Sequence, residues 1–372
     1  MPPAMPELDQ PLLLAPDLKE KIWGRERLDP LYGSAEAKGG SAPPRSRRSA
    51  KHAPTTVARR IGEAWLTGDG ATFMTGPVSG LTLGEVLARS PGELCGPGWK
   101  ADYFPFLAKF LFTSDWLSMQ VHPDDEYALH HEKSRGKTEA WYIVEGGQNA
   151  SIALGLAPGT SREALESACR QGRSREVAQS FRPNPAEGVF VPSGTLHALG
   201  PGLVLFELSE TSDITYRLDD YGRLDHRGRA RDLHLERGLE TVRLDAPAYR
   251  DLPRLEFEEE FGSRRYVVAC RYFAIEVLAV ESRHTFPPPP DRVEALAVIG
   301  GEGRVETSRG WLAYASGQTW LIPPRSEAYR LVPEEASRLM RFYVPDLDRD
   351  FRQPLAERGV VPGLIGKVVF EN

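Results

Sequence analysis

Short runs of β-branched and aromatic residues, cut by glycine and proline, recur along most of the chain. Trp116 to Val121, Ala140 to Val144, Gly188 to Val191 and Leu203 to Leu208 are predicted strands. After a predicted helical segment, Arg231–Val242, the pattern resumes. Tyr272 to Val280, Ala295 to Ile299, Gly303 to Thr307 and Thr319 to Ile322 are further predicted strands, with turns at Gly300-Gly301 and Pro323-Pro324. Helix starts are marked at Thr82-Leu-Gly-Glu85 and Thr160-Ser-Arg-Glu163, each a capping-box pattern ahead of apolar residues. Gly172 suits the end of the second. A third helix is expected from Asp124 to Glu132, stopping near Gly136. Many short strands at this spacing indicate jelly-roll barrels. The expectation is a mainly β chain with two barrels in tandem. Residues 1–245 form the first, with helical elaboration, and residues 246–372 the plainer second.

Composition narrows the class. Apolar residues make up 41% and charged residues 26%, the balance of a soluble globular protein. The net charge, 46 − 52 = −6, argues against a nucleic-acid partner. No run approaches the roughly 18 apolar residues of a membrane span, and the N-terminal segment lacks a signal-peptide pattern. Cys95, Cys169 and Cys270 are odd in number and far apart, which implies neither a disulfide framework nor a zinc ribbon. A cytoplasmic protein, monomeric or homodimeric, is expected. Residues 36–56 are rich in Gly, Ser, Ala and Pro and carry Lys38, Arg45, Arg47, Arg48 and Lys51. They are predicted to be a mobile basic loop, having too little apolar surface to offset the entropy of ordering.

The chemistry lies in three patterns. In Ser118-Met119-Gln120-Val121-His122 the polar residues share one face of a strand and the apolar residues the other. Pro123 then ends the strand and leaves His122 near a barrel mouth. Glu139 opens the next strand in Gly136-Lys137-Thr138-Glu139, where Lys137 shares its face. A Pro/Gly turn, Pro192-Ser-Gly-Thr-Leu-His197, delivers a second histidine. Taken singly, His122 reads as an ordinary hydrogen-bonded histidine and the Lys137–Glu139 pair as a weak surface pair. Together, Q-x-H-P, K-x-E and P-x-G-x-x-H bring two imidazoles, a carboxylate and an amide oxygen from adjacent strands. That mixed N/O set suits a catalytic metal.

With these motifs the sequence resembles the type I mannose-6-phosphate isomerase (phosphomannose isomerase) family in its short bacterial form, a cupin-fold zinc enzyme of carbohydrate metabolism. Leu117 to Asp125, Gly136 to Tyr142 and Pro192 to Ala198 carry the resemblance. So do Ser212 to Arg217, Asp220 to Arg223 and Ile22-Trp23-Gly24, and the likeness covers roughly residues 10–245. It implies tandem cupin barrels and one divalent ion, zinc, with manganese or iron as alternatives. The ligands implied are Gln120, His122, Glu139 and His197. It further implies catalytic roles for Arg217, Lys137 and Glu207, and substrate contacts by Ser118, Trp23 and Lys137. The implied substrate is a small sugar phosphate. The chain departs from the family at Arg25, where a second glycine is common, and in its longer basic loop. The second barrel lacks the metal patterns, since His284 stands alone before Pro287 to Pro290, and is expected to be metal-free.

Aldose–ketose isomerisation passes through an enediolate, whose negative charge a divalent cation and an arginine stabilise. Arg217 suits that role; its structural alternative is an ion pair with Asp213 or Asp220. The proton carrier stays open among Lys137 with a lowered pKa, Glu207 and a water on the metal. Two rival functions are a cupin oxygenase, with open positions for O₂, and a non-catalytic sugar-phosphate sensor.

Overall fold

A computed structural model describes residues 7–32, 59–224, 228–289 and 291–371. The predicted basic loop, 36–56, lies outside them. The architecture is two antiparallel β-sandwiches packed back to back, four sheets deep, so the mainly β expectation holds. In the first sandwich a six-stranded sheet runs Gly188–Val191, Glu139–Gly146, Leu203–Ser209, Leu107–Phe112, Ile61–Trp65, Asp17–Arg25. Facing it are Tyr216–Asp219, Met119–Val121, His197–Leu199, Ile152–Leu156 and Ala178–Phe181. Leu111, Ile143 and Leu205 from one sheet meet Ile152, Leu154 and Leu199 from the other in a shared apolar interior.

In the second sandwich a large sheet runs Leu255–Glu259, Gly262–Ala269, Ala274–Val280, Ser337–Tyr343, Glu294–Gly300, Thr319–Ile322. It faces His284–Phe286, Tyr329–Pro333, Glu302–Thr307 and Gly310–Ala315. Two strands from the start of the chain, Leu12–Ala15 and Thr72–Phe73, extend the large sheet beyond Thr319–Ile322. The second sandwich thus draws two strands from the N-terminal part of the chain. The chain crosses between sandwiches at Pro16, which has no N–H to give to either ladder.

The two large sheets share the most extensive core. Phe110, Val204, Phe206 and Leu208 on one meet Ile275, Ala297, Met340 and Phe342 on the other, and Phe342 packs 5.0 Å from Phe206, ring centre to ring centre. Both faces of these strands are thus covered. This explains why Leu107–Phe112 and Leu203–Ser209 read as near-continuous apolar runs rather than alternating ones. It also fixes which residues point into the first barrel. With Phe110, Phe206 and Leu208 in the central core, Lys109 and Glu207 face the barrel interior.

The helices follow their predicted starts closely. Thr82 and Glu85 form a complete capping box on Leu83–Arg89, and Asp124 caps Asp125–Glu132. That third helix ends at Lys133, in the left-handed region, rather than near Gly136. The cap expected at Thr160 is one residue later, at Ser161, because the Thr160 hydroxyl donates to the Ala157 carbonyl at 2.7 Å. The helix predicted over Arg231–Val242 is shortened to Leu235–Thr241. Its early residues are used elsewhere: Arg231 pairs with Asp220, and the Asp232 carbonyl accepts from Arg217.

Candidate metal centre and active site

Three backbone hydrogen bonds lock the motif segments together. Lys137 N–H donates to the Pro123 carbonyl at 2.9 Å, Gly194 N–H to the His122 carbonyl at 2.8 Å, and Glu210 N–H to the Thr138 carbonyl at 3.1 Å. Two glycines permit this approach. A Cβ on Gly136 would lie 2.5 Å from the Asp125 nitrogen, and Gly194 sits at φ +81°, in the left-handed region. The Q-x-H strand and the P-x-G-x-x-H strand are neighbours, with His197 directly opposite Gln120. Glu139 comes from the facing sheet, so the site bridges both walls of the barrel.

His122, Glu139 and His197 converge, with one ligand atom from each within 4.8 Å of the others. His122 Nε2 is 3.3 Å and His197 Nε2 3.7 Å from the two oxygens of Glu139. Each ring is oriented from behind: His122 Nδ1 lies 2.6 Å from the Ile214 carbonyl, and His197 Nδ1 2.9 Å from that of Thr195. A carbonyl can only accept, so each Nδ1 carries the proton and each Nε2 keeps its lone pair for the site. Burial, with the nearby Lys137 charge, outweighs the pull of Glu139 and lowers His122 to about 4. Burial also lowers His197. Burial opposes ionisation of Glu139, but Lys137, His122 and His197 hold its carboxyl well below the usual range. The result is two neutral imidazoles and one carboxylate, the protonation states a cation requires.

His122 Nε2 and the Glu139 oxygens are buried, and among the described residues the polar contact to them from outside the triad is the Lys137 ammonium on Glu139 Oε1. Buried lone pairs of this kind are costly unless something occupies the space between them. Two imidazoles and a carboxylate at these separations fit a divalent ion. Gln120 adjoins them, its amide nitrogen 3.2 Å from His197 Nε2 and its oxygen 3.3 Å from the Ser118 hydroxyl. A half-turn of the amide presents the oxygen to the triad.

Beside the triad lies a buried charged interior. Lys137 contacts Glu139 and lies 3.5 Å from Glu207. Glu207 is in turn 3.4 Å from Lys109, the residue opposite it across the sheet. Lys109 also approaches Glu63 at 3.8 Å and Asp213 at 3.5 Å, and it sits 4.7 Å from the Trp65 ring centre. Burial would raise Glu63, but Lys109 and Lys21 bring it down to about 2. Burial pulls the Lys137 ammonium down, but Glu139 and Glu207 outweigh burial and raise it. Lys109 and Glu63 were not singled out from sequence. The available signal was a lone lysine in the apolar run Leu107-Ala-Lys-Phe-Leu-Phe and a lone glutamate in Ile61-Gly-Glu-Ala-Trp.

Arg217 is paired in register with Gln120, so the two share a face. Tyr216 and Leu218 turn the other way, into the core beneath the helices. Among the described residues Asp220 is held by Arg223 and Arg231, and no ion pair joins Arg217 to Asp213 or Asp220. The Arg217 Nε has no hydrogen-bond partner, and Nη1 donates to the Asp232 carbonyl at 2.7 Å. Trp23 is buried in the same apolar cluster as Trp141. Arg25, the departure from the family pattern, donates to the Thr113 carbonyl at 2.9 Å.

A jelly-roll barrel whose buried His122, Glu139 and His197 could hold a metal ion, followed by a second barrel, defines the class: a cupin-like protein with a candidate metal site. A model of the phosphomannose isomerase type I catalytic domain matches residues 12–142. A mannose-6-phosphate isomerase of Bacillus subtilis is 31% identical, covering 84% of this chain and 93% of that protein. One of Streptococcus mutans is 33% identical, with 84% and 92% covered. The crystal structure of a mannose 6-phosphate isomerase from Bacillus subtilis superposes with a TM-score of 0.76 at 26% identity, covering 90% of this chain and 99% of that one. The chain belongs to the type I phosphomannose isomerase family.

Proposed function

We propose that the chain interconverts mannose 6-phosphate and fructose 6-phosphate, with one zinc ion held by His122, His197, Glu139 and the Gln120 amide oxygen. The observation that carries the metal assignment is the convergence of three buried ligand groups, His122, Glu139 and His197, with both imidazoles fixed as Nδ1–H tautomers. Family membership and the names of its relatives support the reaction. Two nitrogens and a carboxylate favour zinc, with manganese and iron as alternatives. The catalytic barrel is assigned to residues 1–245 and a second, metal-free barrel to residues 246–372. The three cysteines, all free and buried, suit a cytoplasmic enzyme acting as monomer or homodimer.

A bound divalent ion supplies Lewis-acid stabilisation of the negative charge that develops on the sugar oxygens. The chain's own groups do the rest. Arg217 keeps its charge at any working pH and faces the site with a free Nε, so it stabilises the enediolate or holds the phosphate. Lys137, between Glu139 and Glu207, is placed to donate a hydrogen bond to a substrate oxygen or to act as base. Glu207, 3.5 Å from Lys137, and a water on the metal are the other candidates for moving the proton between C1 and C2. Ser118 and Trp23 line the substrate side.

Purified protein loaded in turn with zinc, manganese and iron should convert mannose 6-phosphate to fructose 6-phosphate and consume no O₂. Absence of conversion with all three sinks the assignment. Arg217→Ala should retain metal and lose at least ~100-fold in turnover, the scale of one oxyanion-stabilising group. Full activity in that variant would remove Arg217 from the mechanism.

A further inference from the structure

The second barrel repeats the strand order of the first, and the registers turn that repeat into residue equivalences. In the large sheets, Thr319–Ile322, Glu294–Gly300, Ser337–Tyr343, Ala274–Val280 and Gly262–Ala269 follow the order of Gly188–Val191, Glu139–Gly146, Leu203–Ser209, Leu107–Phe112 and Ile61–Trp65. Glu139 lies opposite Val191 and Ser209; Glu294 lies opposite Ile322 and Tyr343. Glu207 pairs with Lys109 and Trp141; Arg341 pairs with Glu276 and Leu296. Glu63 lies opposite Leu111, and Arg264 opposite Leu278. In the smaller sheets the Gln120–His197 pair becomes Phe286–Tyr329.

The second barrel therefore keeps a carboxylate, Glu294, where Glu139 stands. It inverts the charges behind it: Glu63–Lys109–Glu207 becomes Arg264–Glu276–Arg341. The inverted set is held as tightly as the original, with Arg264 3.4 Å and Arg341 3.2 Å from Glu276. Where the metal ligands would be, Phe286 and Tyr329 stack with ring centres 5.6 Å apart. A cavity of about 300 Å³ opens at this place, bordered by Arg264, Arg341, Glu294, Phe286 and Tyr329. Arg292, Arg349 and Asp350 complete its polar rim, and its four guanidinium groups are paired with Glu259, Glu276, Glu294 and Asp350. An ion-pair network that served only to close the barrel would be filled. This one borders open space, with Arg264 between Glu276 and Glu259, its Nε 3.4 Å from the latter.

We propose that this cavity is a second ligand site, taking a small phosphate monoester of a sugar or polyol. The phosphate would lie among the guanidinium groups, which suit its oxygens, and the carbon chain against the Phe286–Tyr329 pair. The walls hold no histidine, so the site binds without isomerising.

The probe is sorbitol 6-phosphate, which has no carbonyl to isomerise, titrated calorimetrically into the full chain. Two molecules should bind per chain. Arg349→Ala, a change at a half-exposed rim residue, should weaken one of them at least tenfold, and Arg264→Gln should weaken the same one. Arg217→Ala should weaken the other. One molecule per chain, or a second site that ignores both Arg349→Ala and Arg264→Gln, overturns the inference. A chain that isomerises mannose 6-phosphate yet binds one polyol phosphate sinks this inference alone. A chain that binds two and turns over nothing sinks the isomerase reading alone.

Discussion

Gln120 and His197 stand directly opposite each other on neighbouring antiparallel strands, with the Gln120 amide nitrogen 3.2 Å from His197 Nε2. One residue of register slip would turn both side chains out of the barrel, so the pairing itself specifies the site. If the amide oxygen is a ligand, Gln120→Ala removes one of four donors and leaves three. Metal affinity should fall by roughly 10–100-fold, whereas His197→Ala should abolish retention. Metal content after dialysis against a graded chelator series measures both. Equal retention by wild type and Gln120→Ala would exclude the amide as a ligand.

The depressed pKa of His122 makes a statement about acid stability. Its folded value of about 4 lies below the ordinary value of 6.5, so between those values the unfolded chain binds a proton that the folded chain does not. Stability of the metal-stripped protein should therefore fall as pH drops from about 6.5 towards 4, by roughly 3 kcal/mol from this group. Urea midpoints at pH 7, 5.5 and 4.5 would show it, and His122→Gln should flatten part of the slope. A slope unchanged in the variant would mean that His122 does not titrate in this range.

The sequence patterns located the site more completely than the sheet that supports it. Q-x-H-P, K-x-E and P-x-G-x-x-H were legible because proline, glycine and a period of two constrain where those side chains point. Lys109 was not, because its strand is covered on both faces and shows no alternation to say which way a lone lysine turns. The pairing of Leu12–Ala15 with Thr319–Ile322 was equally hidden. Nothing local in Leu12-Leu13-Leu14 distinguishes a partner nearby from one some 300 residues away.

Lys109 should matter to stability as well as to turnover. It is buried and compensates Glu63 and Glu207, so Lys109→Met leaves two buried carboxylates without their shared cation. Breaking a buried charge network from one side typically costs about 3–5 kcal/mol. Adding Glu207→Gln to Lys109→Met should recover part of that loss, giving a double mutant more stable than the single one. Denaturant midpoints for the three variants test it, and strictly additive losses would show that the two residues are not coupled.

Phe342 tests whether the two sandwiches fold as one body. Its ring is fully buried between the large sheets, with ring centres 5.4 Å from Phe106 and 5.0 Å from Phe206. Phe342→Ala opens a cavity in that shared core and should cost about 3–5 kcal/mol. The substitution lies on the sheet face turned away from both barrel interiors, so turnover at low temperature should survive. Because the cavity borders both sheets, amides of Leu203–Ser209 and of Glu294–Gly300 should lose hydrogen-exchange protection together and by similar amounts. Loss confined to Glu294–Gly300 would mean that the barrels unfold independently, and that the central core joins them without coupling them.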